Sequence, residues 1–346
     1  MTNEAGLLKG LLEHYSPTGQ EAGAVKFLVE EMRRRGFTAE ADEAGNAVGS
    51  LGNGPNEIVL LGHIDTVPGF IEVRQEGDRL NGRGAVDAKG PLVCFVEAAA
   101  QAKVSSDWKI TVIGAVAEEG DSHGAKFIVD QHRPKFTIIG EPSGWDRITL
   151  GYKGSAWFDY QVQKPMAHTA SSQESACETA VKFWVKLQAS AFDYNQYRPK
   201  VFDQLTPTLR GMTSTSEEYS ETARLRIGMR LPPEINLEQA KALTVNLADV
   251  GQVSLIDGVS AWRADKNNPL VRAFLQAIRA QQGTPGFVLK TGTSDMNIVA
   301  PVWGCPILAY GPGDSSLDHT PDEHILVSEY LTAVKILTGV LENLVA

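Results

Sequence analysis

The sequence predicts an α/β fold, with a mostly parallel sheet in the main domain and a smaller α+β domain inserted into it. Short apolar runs alternate with helical segments over 1–151 and again over 265–346, a pattern typical of buried parallel strands. Between them, 152–264 has the order strand, helix, strand, strand, helix, strand, which is that of a ferredoxin-like unit. The length of 346 residues also favours two domains over one.

The main domain begins with two predicted helices and continues with buried strands. Segments 4–15 and 20–35 follow a helical spacing of apolar residues, and the second ends at Gly36. Strands are predicted at 58–61, 110–113, 136–139 and 305–309, and further helices at 91–103 and 325–343. Polar residues with ionisable side chains follow each of these strands. Because ligands of open α/β sheets bind at the carboxyl ends of the strands, we expect the functional site there.

The inserted domain has its own pattern, and its predicted hinges are the turn-forming stretches 151–154 and 263–269. Its strands are predicted at 155–163, 201–212, 221–231 and 251–259, its helices at 172–190 and 236–247, and a polar turn at 214–218. The predicted boundaries are therefore 1–151 and 265–346 for the main domain and 152–264 for the insertion.

Composition excludes several classes of protein. Lys and Arg number 32 and Asp and Glu number 42, so the net charge is −10, which argues against a general affinity for nucleic acid or anionic membranes. The three cysteines, Cys94, Cys177 and Cys305, are odd in number and far apart, which argues against a disulfide framework and against a cysteine zinc site. No apolar run approaches the ~18 residues of a membrane span, and no secretory signal is visible. We therefore expect a cytoplasmic protein.

His63 and Asp65 stand at the end of a predicted strand. Strand residues two apart face the same side, so Asp65 can orient the His63 ring and fix its tautomer, as the partners of metal-binding histidines do. A His–Asp pair that only caps a turn is an equal alternative. Asp87 lies in a glycine-rich stretch just before a predicted helix, where it can bridge two metal ions or cap the helix.

Glu118 and Glu119 are the strongest local indication of a functional site. Two adjacent carboxylates after an apolar run repel each other unless a cation lies beside them. One of the two can then bind the metal ion while the other accepts a proton. A solvated loop is the alternative. Glu141 follows another strand, and His319 lies in a late Asp-His-Thr-Pro stretch. Two histidines and several carboxylates suit zinc, with cobalt or manganese next, and their shared position at strand ends predicts a metal site.

Five motifs in order resemble those of a known family. They are HxD at 63–65, GRGAVDAKG at 82–90, AEEG at 117–120, GEP at 140–142 and DHTPDE at 318–323. They are similar to motifs of the dinuclear zinc amidohydrolases and exopeptidases, which include acetylornithine deacetylase, succinyl-diaminopimelate desuccinylase, aminoacylase and glutamate carboxypeptidase. The resemblance covers nearly the whole chain and implies a catalytic main domain with an inserted lid.

The resemblance also implies a role for each ionisable residue of the main domain. One zinc ion would be bound by His63, Asp87 and Glu141, and the second by Asp87, Glu119 and His319. Glu118 would be the general base and then the general acid, and Asp65 would orient His63.

Residues in or next to the insertion would contact the substrate. The resemblance implies that His168 stabilises the oxyanion, from its own subunit or across a dimer, although a polar loop residue is the alternative. Arg230 would lie near a substrate carboxylate, with a solvated strand residue as the equal alternative, and Lys153 and Thr293 would line the pocket.

The activity that the resemblance implies is hydrolysis of an amide bond. GYKGSAWF, KPMAHTASSQESA and LKTGTSDMN are similar to segments of the branch that releases lysine or ornithine from the carboxyl-terminal glutamate of an acidic amino-group carrier protein, in lysine and arginine biosynthesis. The stretch 214–220 lacks the asparagine-rich turn of many deacylases, which favours an unusual acyl group. The alternatives are a deacetylase of N-acetyl-lysine or N-acetylornithine, a dipeptidase or carboxypeptidase, and a non-catalytic metal-binding protein. A homodimer formed through the lid is also implied.

Overall fold

The computed structural model of the chain describes residues 5–168 and 170–345. These residues form two compact units. Unit one consists of the described residues of Met1–Gly151, Ala264–Val288 and Ser294–Ala346, and unit two consists of those of Tyr152–Arg263 and Leu289–Thr293. In the described part of the chain, no helix is both long enough and apolar enough to cross a membrane.

The elements have the following bounds. The helices are α1 (Gly6–Glu13), α2 (Ala22–Arg34), α3 (Lys89–Gln101), α4 (His123–Ile128), α5 (Ala176–Asn195), α6 (Leu237–Leu247), α7 (Pro269–Ala280), α8 (Met296–Trp303) and α9 (Val327–Leu344). The strands are β1 (Thr38–Ala41), β2 (Ala47–Gly52), β3 (Asn56–His63), β4 (Arg74–Glu76), β5 (Arg79–Asn81), β6 (Trp108–Ala115), β7 (Phe136–Gly140), β8 (Arg147–Tyr152), β9 (Gly154–Pro165), β10 (Thr206–Ser216), β11 (Ser220–Leu231), β12 (Gln252–Val259), β13 (Trp262–Arg263), β14 (Gly286–Lys290), β15 (Ile307–Ala309) and β16 (His324–Leu326). Short 3-10 helices lie at Val201–Asp203 and Ser315–Leu317.

Unit one contains a large mixed sheet in the order β1-β2-β6-β3-β7-β15-β8. The four central strands, β6, β3, β7 and β15, are parallel, and the pairs on either side of them are antiparallel. The predicted α/β class is therefore confirmed, but the sheet is less parallel than predicted. The connection from β1 to β2 is too short for a crossover, and so it permits only antiparallel pairing.

The core of unit one lies around β3 and α3. Residues 58–61 of β3 are fully buried because parallel neighbours flank the strand on both sides. Helix α3 contacts β3 and also α9, and most of its side chains are buried, which explains its continuous apolar run. The predicted first helix corresponds to α1, with residue 4 outside the described residues. Helix α2 ends just before Gly36, whose φ of 90° lies in the region that favours glycine.

Unit two is a four-stranded antiparallel sheet in the order β10-β11-β9-β12, with α5 and α6 contacting its strands. Its apolar core includes alternate residues of β9 and β11, and the Tyr160 and Phe183 rings stack within it at 4.1 Å. The remaining residues of these strands point to the other face, which is more exposed. Helix α5 begins at a capping box formed by Ser175 and Glu178, four residues later than the helix predicted from 172.

Two details of unit two differ from the predicted elements. Residues 201–203 form a 3-10 turn, not the start of a strand, because the buried Lys153 ammonium binds the carbonyls of Val201, at 3.0 Å, and Gln204. The β10–β11 hairpin turn lies at 217–219 and not at 214–218, since backbone pairing continues to Ser216 opposite Glu221. Polar side chains there are tolerated because this end of the hairpin is exposed.

Candidate metal centre

Strand β3 brings His63 to its carboxyl end, where the chain turns to Asp65. The His63 Nδ1 atom lies 3.0 Å from the Asp65 carbonyl oxygen and 3.5 Å from its Oδ1. Both side chains are buried. An imidazole with Nδ1 bound in this way presents Nε2 to the other side, as metal-binding histidines do.

Asp65 also binds the loop that follows β6. Its Oδ1 accepts a hydrogen bond from the Glu118 backbone N–H at 3.0 Å, and its Oδ2 accepts one from the Glu119 N–H at 3.1 Å. Thr18 Oγ1 donates to the same Oδ2 at 2.7 Å. One buried carboxylate therefore fixes the positions of both glutamates relative to His63.

Asp87 lies between the two histidines at the start of α3. His63 Nε2 is 3.1 Å from Asp87 Oδ1, and His319 Nε2 is 3.0 Å from Oδ2. The same His319 atom is 2.9 Å from Glu119 Oε1. The backbone of His319 has a φ of 60°, a left-handed conformation that costs an L-residue about 1–2 kcal/mol. Such strain is typical of functional residues.

Three groups of side chains could each hold a metal ion. Within each group, the potential ligand atoms lie within 4.8 Å of one another. The groups are His63, Asp87 and Glu141; Asp87, Glu119 and His319; and His63, Glu118 and Glu119. The first two share Asp87. Imidazole nitrogens with carboxylate oxygens are ligands that suit zinc, and a shared carboxylate is typical of dinuclear sites.

The electrostatics of this cluster are those of an acid-rich, buried site. Burial raises the pKa values of Glu118 and Glu141 well above those usual for glutamate, and neighbouring carboxylates raise them further. Burial and repulsion from Asp87 likewise raise the pKa of Glu119. The hydrogen bond with Asp87 raises the pKa of His319 to about 9.

Divalent cations fit this cluster. The nearby Asp295 carboxylate is buried, and its Oδ1 accepts no hydrogen bond from any described residue. Burial raises the pKa of Asp295 to about 7, because it outweighs the attraction of His63 and Lys126 and the hydrogen bond with Ser122. Two divalent cations would neutralise the excess of carboxylates over histidines. Asp295 lies in the LKTGTSDMN stretch but in none of the motifs that predicted the metal site.

Sequence reasoning also missed a buried clamp behind Asp87, formed by Arg83 and Glu323. Glu323 Oε1 accepts hydrogen bonds from the backbone N–H groups of Val86, at 2.9 Å, and Asp87, at 3.1 Å. Its Oε2 accepts one from Arg83 Nη1 at 2.7 Å. Glu323 lies four residues after His319, so the clamp joins the chain segments that carry two of the potential ligands. The signal in the sequence was the last letter of the DHTPDE motif.

The other predicted site residues belong to unit two. Arg230 and Thr293 lie together, with Arg230 Nη1 donating to Thr293 Oγ1 at 3.5 Å. The Lys153 ammonium instead binds backbone carbonyls inside the unit, so its contacts there are structural. His168 is exposed, and its Nδ1 accepts a hydrogen bond from the Ala170 N–H at 3.1 Å.

An α/β sheet at whose carboxyl edge strand ends and loops gather two histidines, a shared carboxylate and a paired acid is typical of metal-dependent hydrolases. The chain belongs to the peptidase family M20/M25/M40, whose model matches residues 59–343, and the predicted family is thereby confirmed.

Two relatives and one solved structure illustrate the similarity. The chain is 45% identical over 339 residues to the [LysW]-lysine hydrolase of Deinococcus radiodurans, an alignment that covers 95% of this chain and 94% of the relative. It is 32% identical over 343 residues to the [LysW]-lysine/[LysW]-ornithine hydrolase of Saccharolobus islandicus, with 98% and 95% covered. The fold matches the M20 family metallo-carboxypeptidase Sso-CP2 of Sulfolobus solfataricus with a TM-score of 0.80, at 17% identity and with 99% of each chain covered.

Proposed function

We propose that this chain is a metal-dependent hydrolase that cleaves the amide bond joining lysine or ornithine to the carboxyl-terminal glutamate of an amino-group carrier protein. The observation that carries the proposal is the acid pair Glu118 and Glu119, which Asp65 binds through both backbone N–H groups. The names of the Deinococcus and Saccharolobus relatives, which specify LysW-linked lysine or ornithine, support the choice of substrate. A cytoplasmic location agrees with this biosynthetic role and is part of the proposal.

The proposed cofactor is a pair of zinc ions, with cobalt as the alternative. One ion would be held by His63, Asp87 and Glu141, and the other by Asp87, Glu119 and His319. Such ions polarise a carbonyl and make water a better nucleophile at neutral pH.

Glu118 is the proposed general base and acid. Its carboxylate is in reach of the cluster but belongs to neither of the two groups that share Asp87. It would take a proton from the attacking water and then donate that proton to the leaving amine. Burial raises the pKa of Glu118 well above its usual value, which is the direction expected of a carboxyl group that returns a proton to a leaving group. Asp65 would orient His63 and keep Glu118 in place.

The proposed lid is 152–264, nearly all of which lies in unit two, and it would also form the surface for a homodimer. In unit two, His168 would stabilise the oxyanion, and Arg230 and Thr293 would contact a carboxylate of the substrate. The contacts of Lys153 support an indirect part for it, in which it positions the 201–206 segment.

The more exposed face of the unit-two sheet, opposite its apolar core, is the proposed docking surface for the acidic carrier. Arg224 and Arg226 lie side by side in an open groove of about 380 Å³. Arg224 Nε donates to Gln161 at 2.9 Å, and Arg226 pairs with the exposed Asp159. Charge attraction of this kind acts mainly on association with a macromolecule. Charge reversal of Arg224 and Arg226 should therefore raise KM for the carrier-linked substrate and not for N-acetyl-lysine, and an unchanged KM for both would remove this surface from the proposal.

The test of the function is a substrate comparison on the metal-loaded enzyme. Carrier-linked lysine, carrier-linked ornithine, N-acetyl-lysine and N-acetylornithine would be compared at matched concentrations. The proposal expects kcat/KM to be higher by several orders of magnitude for a carrier-linked substrate. Equal or faster hydrolysis of the acetylated amino acids would assign the chain to the deacetylases instead.

A further inference from the structure

The loop that follows β6, residues 116–124, carries the acid pair on a strained backbone. Ala117 and Ser122 have φ values of 58° and 54°, in the left-handed region that is unfavourable for residues with a side chain. The Ser122 N–H donates to the Ala117 carbonyl at 2.7 Å. The Gly124 N–H donates to the Val116 carbonyl at 3.3 Å, which joins the two ends of the loop. A backbone of this kind persists only where the surrounding contacts hold it.

The fully buried side chain of Asn46 contacts both ends of this loop. Its Oδ1 accepts a hydrogen bond from the Val116 N–H at 3.0 Å, and its Nδ2 donates to the Gly124 carbonyl at 3.2 Å. A Cβ on Gly124 would collide with Asn46 Oδ1, so the approach requires glycine at this position. One carboxamide therefore closes the base of the loop from both sides.

The sheet explains how Asn46 reaches the loop. Asn46 comes immediately before β2, which pairs antiparallel with β6 so that Ala47 lies opposite Gly114. The start of β2 is therefore next to the end of β6, where the loop begins. Asp42 fixes the Asn46 side chain, because its Oδ2 accepts a hydrogen bond from Nδ2 at 2.8 Å. Its Oδ1 accepts one from the Asn46 backbone N–H at 2.9 Å.

We infer that Asn46 is a positioning residue that sets the directions of Glu118 and Glu119 by fixing both ends of the loop that carries them. Asp65 binds the backbone N–H groups of the two glutamates, so Asp65 and Asn46 hold different parts of the loop. The inference rests on the proposed function, in which Glu118 moves the proton and Glu119 binds one of two zinc ions. A displacement of about 1 Å at such groups can lower a rate about 100-fold.

The first experiment measures zinc binding and requires no turnover. Calorimetric titration with zinc would give one Kd for each of the two ions. Asn46→Ala should raise the Kd of the ion bound through Glu119 about 10- to 100-fold, as loss of an orienting partner does. It should leave the Kd of the ion bound by His63, Asp87 and Glu141 unchanged. Glu119→Gln identifies the first ion, because it removes that ligand.

The matched control is Glu57→Gln, at the other end of the β3–β6 pair. Glu57 is also buried, and it accepts a hydrogen bond from Thr111 Oγ1 at 2.7 Å. The substitution should lower the Tm of the protein but leave both zinc Kd values unchanged. The inference is overturned if Asn46→Ala weakens the two ions equally, or if it weakens neither.

Hydrogen exchange followed by mass spectrometry tests the loop itself, without metal or substrate. Peptides that cover 116–124 should exchange about 10-fold faster in Asn46→Ala than in wild type, because the hydrogen bonds at the base of the loop are lost. Glu57→Gln should leave their exchange unchanged. Equal exchange in Asn46→Ala and wild type would overturn the inference. A wild type that fails to bind two zinc ions would count against the proposed function, whereas the exchange result would still decide the part of Asn46.

The last experiment is a rescue, measured with the substrate that wild type hydrolyses fastest. Asn46→Asp keeps an acceptor for the Val116 N–H but places a second carboxylate against Asp42. We expect kcat to fall about 10- to 100-fold with little change in KM, because the catalytic group is displaced and substrate contacts are kept. Adding Asp42→Asn returns a donor to this contact and should restore part of the lost kcat. A double variant no faster than Asn46→Asp, or a change confined to KM, would refute the positioning role.

Discussion

Arg83 and Glu323 form a buried ion pair at 2.7 Å, although 240 residues separate them in the chain. The other oxygen of Glu323 accepts the backbone N–H groups of Val86 and Asp87. Arg83 Nε also donates to the Gly69 carbonyl at 2.9 Å. The pair therefore fixes the position of Asp87, the residue common to both metal-binding groups, relative to the segment that carries His319.

Glu323→Gln should lower both stability and metal affinity. The amide keeps one acceptor oxygen but leaves the buried Arg83 without its counter-charge, which costs about 3 kcal/mol or more. Displacement of Asp87 should weaken metal binding about 10- to 100-fold, as loss of an orienting partner does. Chemical denaturation and metal titration would measure the two effects. Glu76→Gln, which breaks the exposed pair with Arg74, should change neither by more than about 0.5 kcal/mol. Normal metal affinity in Glu323→Gln would show that the pair has no part in positioning Asp87.

Glu118→Gln should remove almost all turnover and leave metal content unchanged. The amide cannot accept the proton of the attacking water, so kcat should fall about 10²- to 10⁴-fold. Glu119→Gln is the matched comparison, because Glu119 belongs to the group with Asp87 and His319 and its loss should reduce bound metal. Metal analysis after gel filtration and initial-rate kinetics would give both quantities. If Glu118→Gln also lost metal, Glu118 would be a ligand and not the general base.

Asp65→Asn should impair both the metal centre and the acid pair. The carboxylate accepts three hydrogen bonds, from Thr18 and from the backbones of Glu118 and Glu119, whereas an amide offers only one acceptor oxygen. We expect metal affinity and kcat to fall together, each about 10- to 100-fold. Thr18→Val removes only one of these bonds and should have a much smaller effect on kcat. Equal effects of the two substitutions would mean that Asp65 does not act by holding the backbones of Glu118 and Glu119.

Local spacing predicted much of the candidate site, and long-range contacts account for what it missed. His63, Glu119 and Glu141 follow β3, β6 and β7, which are adjacent strands, so the rule for strand ends was sufficient to bring them together. The Arg83–Glu323 pair and the approach of His319 to Asp87 depend on how a late loop packs, and no local pattern encodes that.

Removal of metal should destabilise unit one and lower the Tm of the protein. Without cations, the buried carboxylates of the cluster repel one another, and a ligand present at about 100 times its Kd contributes about 2.7 kcal/mol. Thermal scans before and after chelation, and after zinc is restored, would show the change. In His319→Ala, which lacks one potential ligand, zinc should restore less of the Tm. An identical Tm with and without zinc would argue against a metal site in this cluster.

Glu57 should make stability depend on pH in the acid range. Burial raises its pKa, but hydrogen bonds from His132, Lys109 and Thr111 outweigh burial and lower the pKa from 4.5 to about 2. A group whose pKa is lower in the folded protein stabilises it above the unfolded pKa, and this contribution is lost as pH falls from about 5 to 2. Full ionisation therefore contributes about 3 kcal/mol at neutral pH.

The comparison of wild type with Glu57→Gln isolates this contribution. Wild type should be the more stable protein at neutral pH, and its advantage should shrink by about 1 kcal/mol between about pH 6 and pH 3.5, because protonation of Glu57 is then more favourable in the unfolded chain. Urea denaturation at several pH values would measure the difference. Glu72→Gln changes an exposed position of the same unit, and its free energy of unfolding should vary with pH as that of wild type does. A stability difference that does not vary with pH would mean that Glu57 acts through packing and not through its charge.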